Sequence, residues 1–170
     1  MQQRKERAVF SFTTVPERLP SLSPFCTMLS TSVVPFVDRV YAFLPAVSSK
    51  GVPYDLSEEH RSHMKRCGIA LVEAEDLGPL TKLYPVLDLE RDPDTILLTG
   101  DDDVGYTSRF IPALLDKCRE HPDAALSTSG WITGPSPPLF TAFVSEPRRD
   151  KEVDSIEGVG VNCFRRRHLD

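Results

Sequence analysis

Short apolar runs alternate along this chain with stretches of helical periodicity, and this alternation constrains the fold more than any other feature. Residues 8–14 (AVFSFTT) are apolar and β-branched, as in a strand. From Leu19 the apolar side chains fall at Leu19, Leu22, Cys26 and Leu29, one face of a helix. Residues 37–44 return to strand character and Pro45 stops them. Residues 55–67 predict a polar helix, with a capping-box pattern at Asp55 and Glu58 and Gly68 as its stop. Residues 69–72 read as a third strand. Within 76–87, Leu80, Leu83, Tyr84 and Leu87 share a helical face that Pro85 interrupts. Residues 95–99 (TILLT) form a buried strand between Pro93 and Gly100. Residues 108–120 give a helix with Ile111, Leu114, Leu115 and Cys118 on one face, and 124–128 another strand. After Gly130 the chain turns Pro- and Gly-rich, then gives a strand-like 139–144 and a closing VGVNCF at 159–164. The pattern predicts an α/β fold, a largely parallel sheet with helices on both faces, in a single domain over 1–170.

Composition removes several function classes. The 170 residues are enough to bury a core without staples. A net charge of −5 argues against a dedicated nucleic-acid binder, which needs a basic face. No apolar run approaches the roughly 18–20 residues of a membrane span. The basic start MQQRKER is followed by a short apolar stretch that runs into Pro16, Glu17 and Arg18, which reads as a first strand rather than a targeting segment. The expectation is a cytoplasmic protein. Cys26, Cys67, Cys118 and Cys163 form no C-x-x-C pair and are expected as free, buried thiols.

The residues most suggestive of chemistry are Asp101, Asp102 and Asp103, which follow a buried strand and so stand at its carboxyl end. In open α/β sheets that edge is where ligands bind. Adjacent carboxylates repel, and a hard cation with oxygen ligands relieves them. The plainer alternative is a solvated acidic turn or a cap for the following helix. A second cluster is Asp76, Gly78, Pro79, Thr81 and Lys82: Gly78 permits a tight turn, and Lys82 could then present an ammonium to a phosphate. An ordinary loop-to-helix junction with a surface lysine explains it equally simply. Thr13, Thr14 and Arg18 end the first strand and could hold a nucleotide, or could be a strand end with a surface ion pair. His60, His63 and Cys67 lack a fourth ligand at a zinc-like spacing. Gly158-Val159-Gly160 is too short for a dinucleotide fingerprint, and Arg165, Arg166 and Arg167 read as a solvated basic end.

Taken in order, TTVPERL, DLGPLTKLYPVL, ILLTGDDDVGY and EGVGVNCFRR resemble the small GT-A-type glycosyltransferases. The nearest likeness is to the group with a D-x-G-P-x-T-K segment before the acidic triplet, known from large DNA viruses of algae and from assorted microbes. The resemblance spans nearly the whole chain. It implies a nucleotide-sugar-dependent transferase that uses Mn²⁺ or Mg²⁺, with the triplet as its D-x-D motif. Asp103 would ligate the metal at the donor diphosphate, and Asp101 would share that site and face the ribose or nucleotide. Thr13, Thr14, Arg18 and Asp102 would line the donor pocket, with Asp76 and Lys82 near base and phosphate. Trp131 would help to build the sugar and acceptor pocket, unless it is a core tryptophan. Such enzymes usually continue beyond the late G-x-G-V-x-x-x-R-R segment into a further acidic motif that supplies the base of inverting transfer. The sequence given stops at Asp170, so the expectation is a chain truncated at its C-terminus, with Glu157 as the substitute carboxylate and catalysis impaired.

The function expected is therefore metal-dependent transfer of a sugar from a nucleoside-diphosphate sugar to a hydroxyl of a sugar or glycan acceptor, with no nucleic-acid partner. Two alternatives stay open: a nucleotidyltransferase using the same acidic strand end, and a nucleotide-sugar-binding remnant without turnover. A phosphatase with an aspartyl nucleophile would need D-x-D-x-[TV] near the N-terminus, and here the triplet lies mid-chain.

Overall fold

The structure is a computed structural model that describes residues 6–133, 140–144 and 151–169. The elements run β1 (Ala8–Phe12), a 3-10 turn (Pro16–Ser21), α1 (Leu22–Ser32), β2 (Arg39–Leu44), α2 (Glu58–Arg66) and β3 (Ile69–Glu73). After a brief 3-10 turn at Val34–Phe36 between α1 and β2, a third 3-10 turn (Gly78–Lys82), α3 (Tyr84–Leu89), β4 (Ile96–Gly100) and α4 (Phe110–Glu120) complete this half. The short strands β5 (Leu126–Ser127), β6 (Gly130–Thr133), β7 (Phe140–Val144), β8 (Ser155–Ile156) and β9 (Val161–Arg165) come last, before a 3-10 turn at Arg166–Leu169.

The main sheet has the order β3-β2-β1-β4-β9-β5. The first four of these strands are mutually parallel, and β9 enters antiparallel between β4 and β5. A small antiparallel sheet, β7-β6-β8, stands beside it. The fold is therefore mixed α/β with a mostly parallel sheet, as the alternation predicts. Strand order reverses at β1: the chain first builds outward through β2 and β3, then crosses to β4 on the other side. The carboxyl ends of β1 and β4 flank that switch point, where such sheets form a crevice.

Period-two alternation divides the core between the two faces. Phe10 and Phe12 of β1 point to one side, where they join Leu22, Cys26 and Leu29 of α1, Met64 of α2 and Ile111 of α4. Val9 points to the other, with Tyr41, Phe43, Leu97, Phe164 and Val86 of α3. Central strands buried on both faces read as near-continuous apolar runs, which is why β1 and β4 were legible from sequence. Each fully buried Phe or Leu contributes about 1.5–3 kcal/mol.

Gly100 marks where this core meets the crevice. A Cβ there would lie 2.3 Å from the Phe10 ring and 2.7 Å from the Tyr106 hydroxyl, both in packed surroundings. Gly100→Ala is therefore expected to destabilise the fold by about 1–3 kcal/mol, the usual cost of overpacking. A urea midpoint equal to that of the wild type would show that the ring moves freely.

Several elements depart from the sequence expectations. The helix expected over 55–67 begins at Glu58, because Ser57 rather than Asp55 is the N-cap: its hydroxyl accepts from the His60 N–H at 3.2 Å. The face expected at Leu80, Leu83, Tyr84 and Leu87 does not form as one helix. Pro79 and Pro85 each occupy the first turn of a separate short element, so the register restarts. Leu80 and Tyr84 are exposed in consequence, Leu83 and Leu87 pack at the margin of the core, and Val86 is the fully buried residue of the segment. The β6–β8 pairing was not anticipated. The triple arginine is not a loose basic end: Arg165 is buried against Glu6 (2.7 Å), and Arg167 is paired with Asp94 and reaches the Pro122 carbonyl (2.8 Å). All four cysteines are free and buried. Among the described residues no helix is long and apolar enough to cross a membrane.

Candidate functional site

The crevice is built from the ends of two adjacent strands and three loops. β1 delivers Thr13 and Thr14, β4 delivers Asp101 to Asp103, and the turn at Pro16–Ser21 brings Arg18 across. Thr14 is buried, donates its hydroxyl to Asp102 Oδ2, and accepts at its carbonyl from the Tyr54 hydroxyl (2.9 Å). Arg18 spans two carboxylates, with 2.5 Å to Asp102 Oδ1 and 2.9 Å to Asp103 Oδ2. The bond to Asp102, reinforced by its charge, pushes the guanidinium pKa above its ordinary value. Thr13 lies half-buried beside them.

The three carboxylates differ in what they can offer. Asp101 is fully engaged: Oδ1 is paired with the Lys82 ammonium, and Oδ2 accepts from the Gly160 N–H (2.7 Å). The Tyr106 hydroxyl donates to the Asp101 carbonyl (2.6 Å); burial, then the Asp101 carboxylate, pushes this phenol above its ordinary pKa and keeps it a donor. Asp102 has both oxygens bound, by Thr14 and Arg18. Asp103 is the exposed one, with 54% of its side chain accessible and Arg18 as its ion-pair partner among the described residues.

Lys82 does not project outward to wait for a phosphate. It is 6% exposed and donates to the Gly158 carbonyl (2.9 Å) as well as pairing with Asp101. The preceding turn explains the direction. The Thr81 hydroxyl accepts from the Leu77 N–H (2.8 Å), and the Ser11 hydroxyl of β1 donates to the Lys82 carbonyl (2.5 Å), which tucks the turn against the sheet. Lys82 thereby fastens β4 to the loop 158–160. Gly160 serves the same end: its φ of 78° aims the N–H at Asp101, a conformation natural to glycine.

Asp76 lies at the other end of that turn. It accepts from the N–H groups of Ser49 (2.5 Å) and Gly78 (2.8 Å), which together hold its carboxyl below the usual range. Its visible work is to shape the turn and join it to the loop after β2. Glu157 sits one residue before the Lys82-bound Gly158. Its carboxylate accepts from the Ser129 hydroxyl (2.9 Å). Trp131 is half-buried on β6, opposite Ser155 of β8, so Trp131 and Glu157 belong to the same small-sheet assembly. His63 bonds to Ser23 and Thr27 and meets the Cys67 thiol at 3.5 Å, while His60 bonds to Ser57.

Sequence reasoning named Thr14, Arg18 and the triplet, which the structure brings together. It did not name Ser11 or Tyr54, whose contacts are long-range and have no local signature, or Tyr106, whose ring is placed by Phe10 and Phe25 while its hydroxyl reaches back to Asp101; Gly160 alone carried a visible signal, as half of a Gly-Val-Gly turn.

Among the described residues no three His, Cys, Asp or Glu side chains converge to hold a metal. An all-protein cage does not fit this donor set. A cation held by one carboxylate and completed by phosphate oxygens, the habit of Mg²⁺, does fit, and Asp103 is the available carboxylate.

No family model and no curated protein matches this sequence. Known structures do match. CMP:2-keto-3-deoxy-manno-octonic acid synthetase, solved in complex with CTP, superposes with a TM-score of 0.58 at 14% identity, covering 95% of this chain and 75% of that one. TarS residues 1–349 from S. aureus give a TM-score of 0.47 at 13% identity, covering 75% of this chain and 35% of that one. At 14% identity the first likeness speaks for the fold: a GT-A-like mixed α/β architecture, with its mostly parallel sheet and helices on both faces.

Proposed function

We propose that this chain binds a nucleoside-diphosphate sugar in the β1–β4 crevice and transfers the sugar to a hydroxyl of a sugar or glycan acceptor. The observation that carries the reading is the acidic strand end at the switch point, where Asp103 and the fork of Arg18 lie exposed beside a braced backbone. Arg18 is the exposed cation of the crevice: its side chain is 47% accessible, and its planar fork suits a diphosphate as well as it suits two carboxylates. Thr13 and Thr14 line the nucleotide side. Asp101 and Lys82 position the crevice floor rather than touch the donor.

Asp103, with the donor's own phosphates, would hold Mn²⁺ or Mg²⁺. Bound there, such a cation acts as a Lewis acid on leaving-group charge. If the transfer inverts, a base must stand within hydrogen-bond reach of the acceptor hydroxyl. Glu157 is the carboxylate we assign to that task, with Ser129 orienting it, and Trp131 is assigned to the acceptor side.

A second reading draws on the likeness to a synthetase solved with CTP: nucleotidyl transfer from a triphosphate at the same strand ends. A thermal-shift screen separates the two. Nucleoside diphosphates, their sugars and nucleoside triphosphates are each tested with and without Mn²⁺. A ligand at 100 times its Kd adds about 2.7 kcal/mol, or roughly 5–10 °C in a domain of this size. The first reading expects that shift from a diphosphate sugar. A shift confined to triphosphates would favour the second reading, and none from any nucleotide would end both.

A further inference from the structure

Among the described residues β3 is the outer strand of the main sheet, bonded to β2 on one side only. Alternate N–H and C=O groups along Ile69–Glu73 therefore point away from the sheet, ready to pair. Edge strands are normally guarded by lysine, proline or a bulge. The sequence IALVE has neither of those residues, and its register with β2 is unbroken. Ala70, Leu71 and Val72 stay only half-buried, whereas β1 and β4 are buried throughout.

The two ends of this edge carry opposite charge. A groove of about 490 Å³ at its start is lined by Arg39, Arg61 and Lys65. A groove of about 480 Å³ at its finish is lined by Glu73, Glu75 and Asp76, with Val47 on its wall. Part of this charge is already used: Arg61 is 3.8 Å from Glu58, Arg39 lies over the Tyr41 ring at 5.9 Å, and Asp76 is held by Ser49 and Gly78. Lys65, Glu73 and Glu75 have no ion-pair partner among the described residues.

We propose that this edge pairs with the same edge of a second copy of the chain, antiparallel, across a two-fold axis at Leu71. In that arrangement the basic end of β3 meets the partner's Glu73 and Glu75, and the acidic end meets the partner's Lys65. A parallel arrangement would oppose like charges. An isologous contact closes on itself, so the sheet doubles to a dimer and does not extend into a fibre. The catalytic crevice at β1 and β4 lies two strands away from the joint on each copy and stays open.

Sedimentation velocity of the whole chain, from low micromolar to about 100 µM, tests this. A dimer is expected whose dissociation constant rises with salt. Lys65→Glu is expected to weaken it by about tenfold or more, since it opposes like charges at both ends of the joint. Lys65→Glu combined with Glu75→Lys restores complementarity and is expected to recover most of the loss. Both substitutions are on exposed side chains and leave the core untouched. Hydrogen exchange adds a backbone readout: the outward-facing amides of Ile69, Leu71 and Glu73 are expected to gain protection at high concentration. A monomer at every concentration overturns the proposal and leaves the edge to a different partner. So does a dimer that ignores Lys65→Glu and leaves those amides unprotected.

Discussion

Lys82→Ala is expected to lower the stability of the folded chain by about 2–4 kcal/mol, more than any other single surface-to-core truncation at the crevice. Removing one member of a buried pair costs about 3–5 kcal/mol, because the partner is left charged and unpaired. The discount here comes from Asp101, whose side chain keeps 22% exposure and retains the Gly160 N–H. The Gly158 carbonyl loses its donor as well. Urea unfolding is the measurement, and the midpoint shift is expected at unchanged m-value. Lys82→Met with Asp101→Asn removes both charges and is expected to recover at least half the loss. A single variant with the wild-type midpoint would mean that Lys82 is not the brace of the crevice floor.

Asp103→Ala should do the opposite. Its side chain is largely in water and its ion pair with Arg18 is a surface one, so folding stability is expected to change by no more than about 0.5 kcal/mol. Donor affinity in the presence of Mn²⁺ should fall by on the order of 10²-fold, since loss of even an outer partner of a metal ligand costs 10–100-fold. In EDTA the variant and the wild type are expected to bind alike. Isothermal titration of a nucleoside diphosphate under both conditions measures the difference. An equal loss with and without metal would place Asp103 on the nucleotide and not on a cation. The two variants together separate brace from ligand within a run of residues that looks uniform in sequence.

That separation shows where the sequence was readable and where it was not. Phe10, Phe12, Ile96 and Leu98 announced buried strands because both faces of a central parallel strand must be apolar. The place of the triplet at a strand end followed from the same reasoning. The direction of Lys82 did not follow, since it depends on Asp101 and on Gly158, which is 76 residues away in sequence. A Gly-Pro turn before a lysine is compatible with either orientation, and the long-range bond from the Ser11 hydroxyl to the Lys82 carbonyl helps to decide between them. The cap of α2 was missed by two residues because Asp55 and Ser57 are both competent caps, and local pattern does not rank them. Of the small sheet only β7 was expected, at 139–144; β6 and β8 pair across a long intervening segment, and strands of two to four residues carry little periodicity.

The antiparallel entry of β9 between β4 and β5 also sets the timing of assembly on the ribosome. Asp101 is synthesised 59 residues before the Gly160 that completes its shell. At about 5–20 residues per second, the nascent chain spends roughly 3–12 s with the open side of β4 bare. During that interval β1 to β4 can already pair, since their contacts need nothing downstream. The crevice cannot close, and the apolar margin of Ile96–Gly100 is available to any strand that reaches it. Until β9 is made, the sheet therefore stands nearly built while the crevice between β1 and β4 is still one strand short.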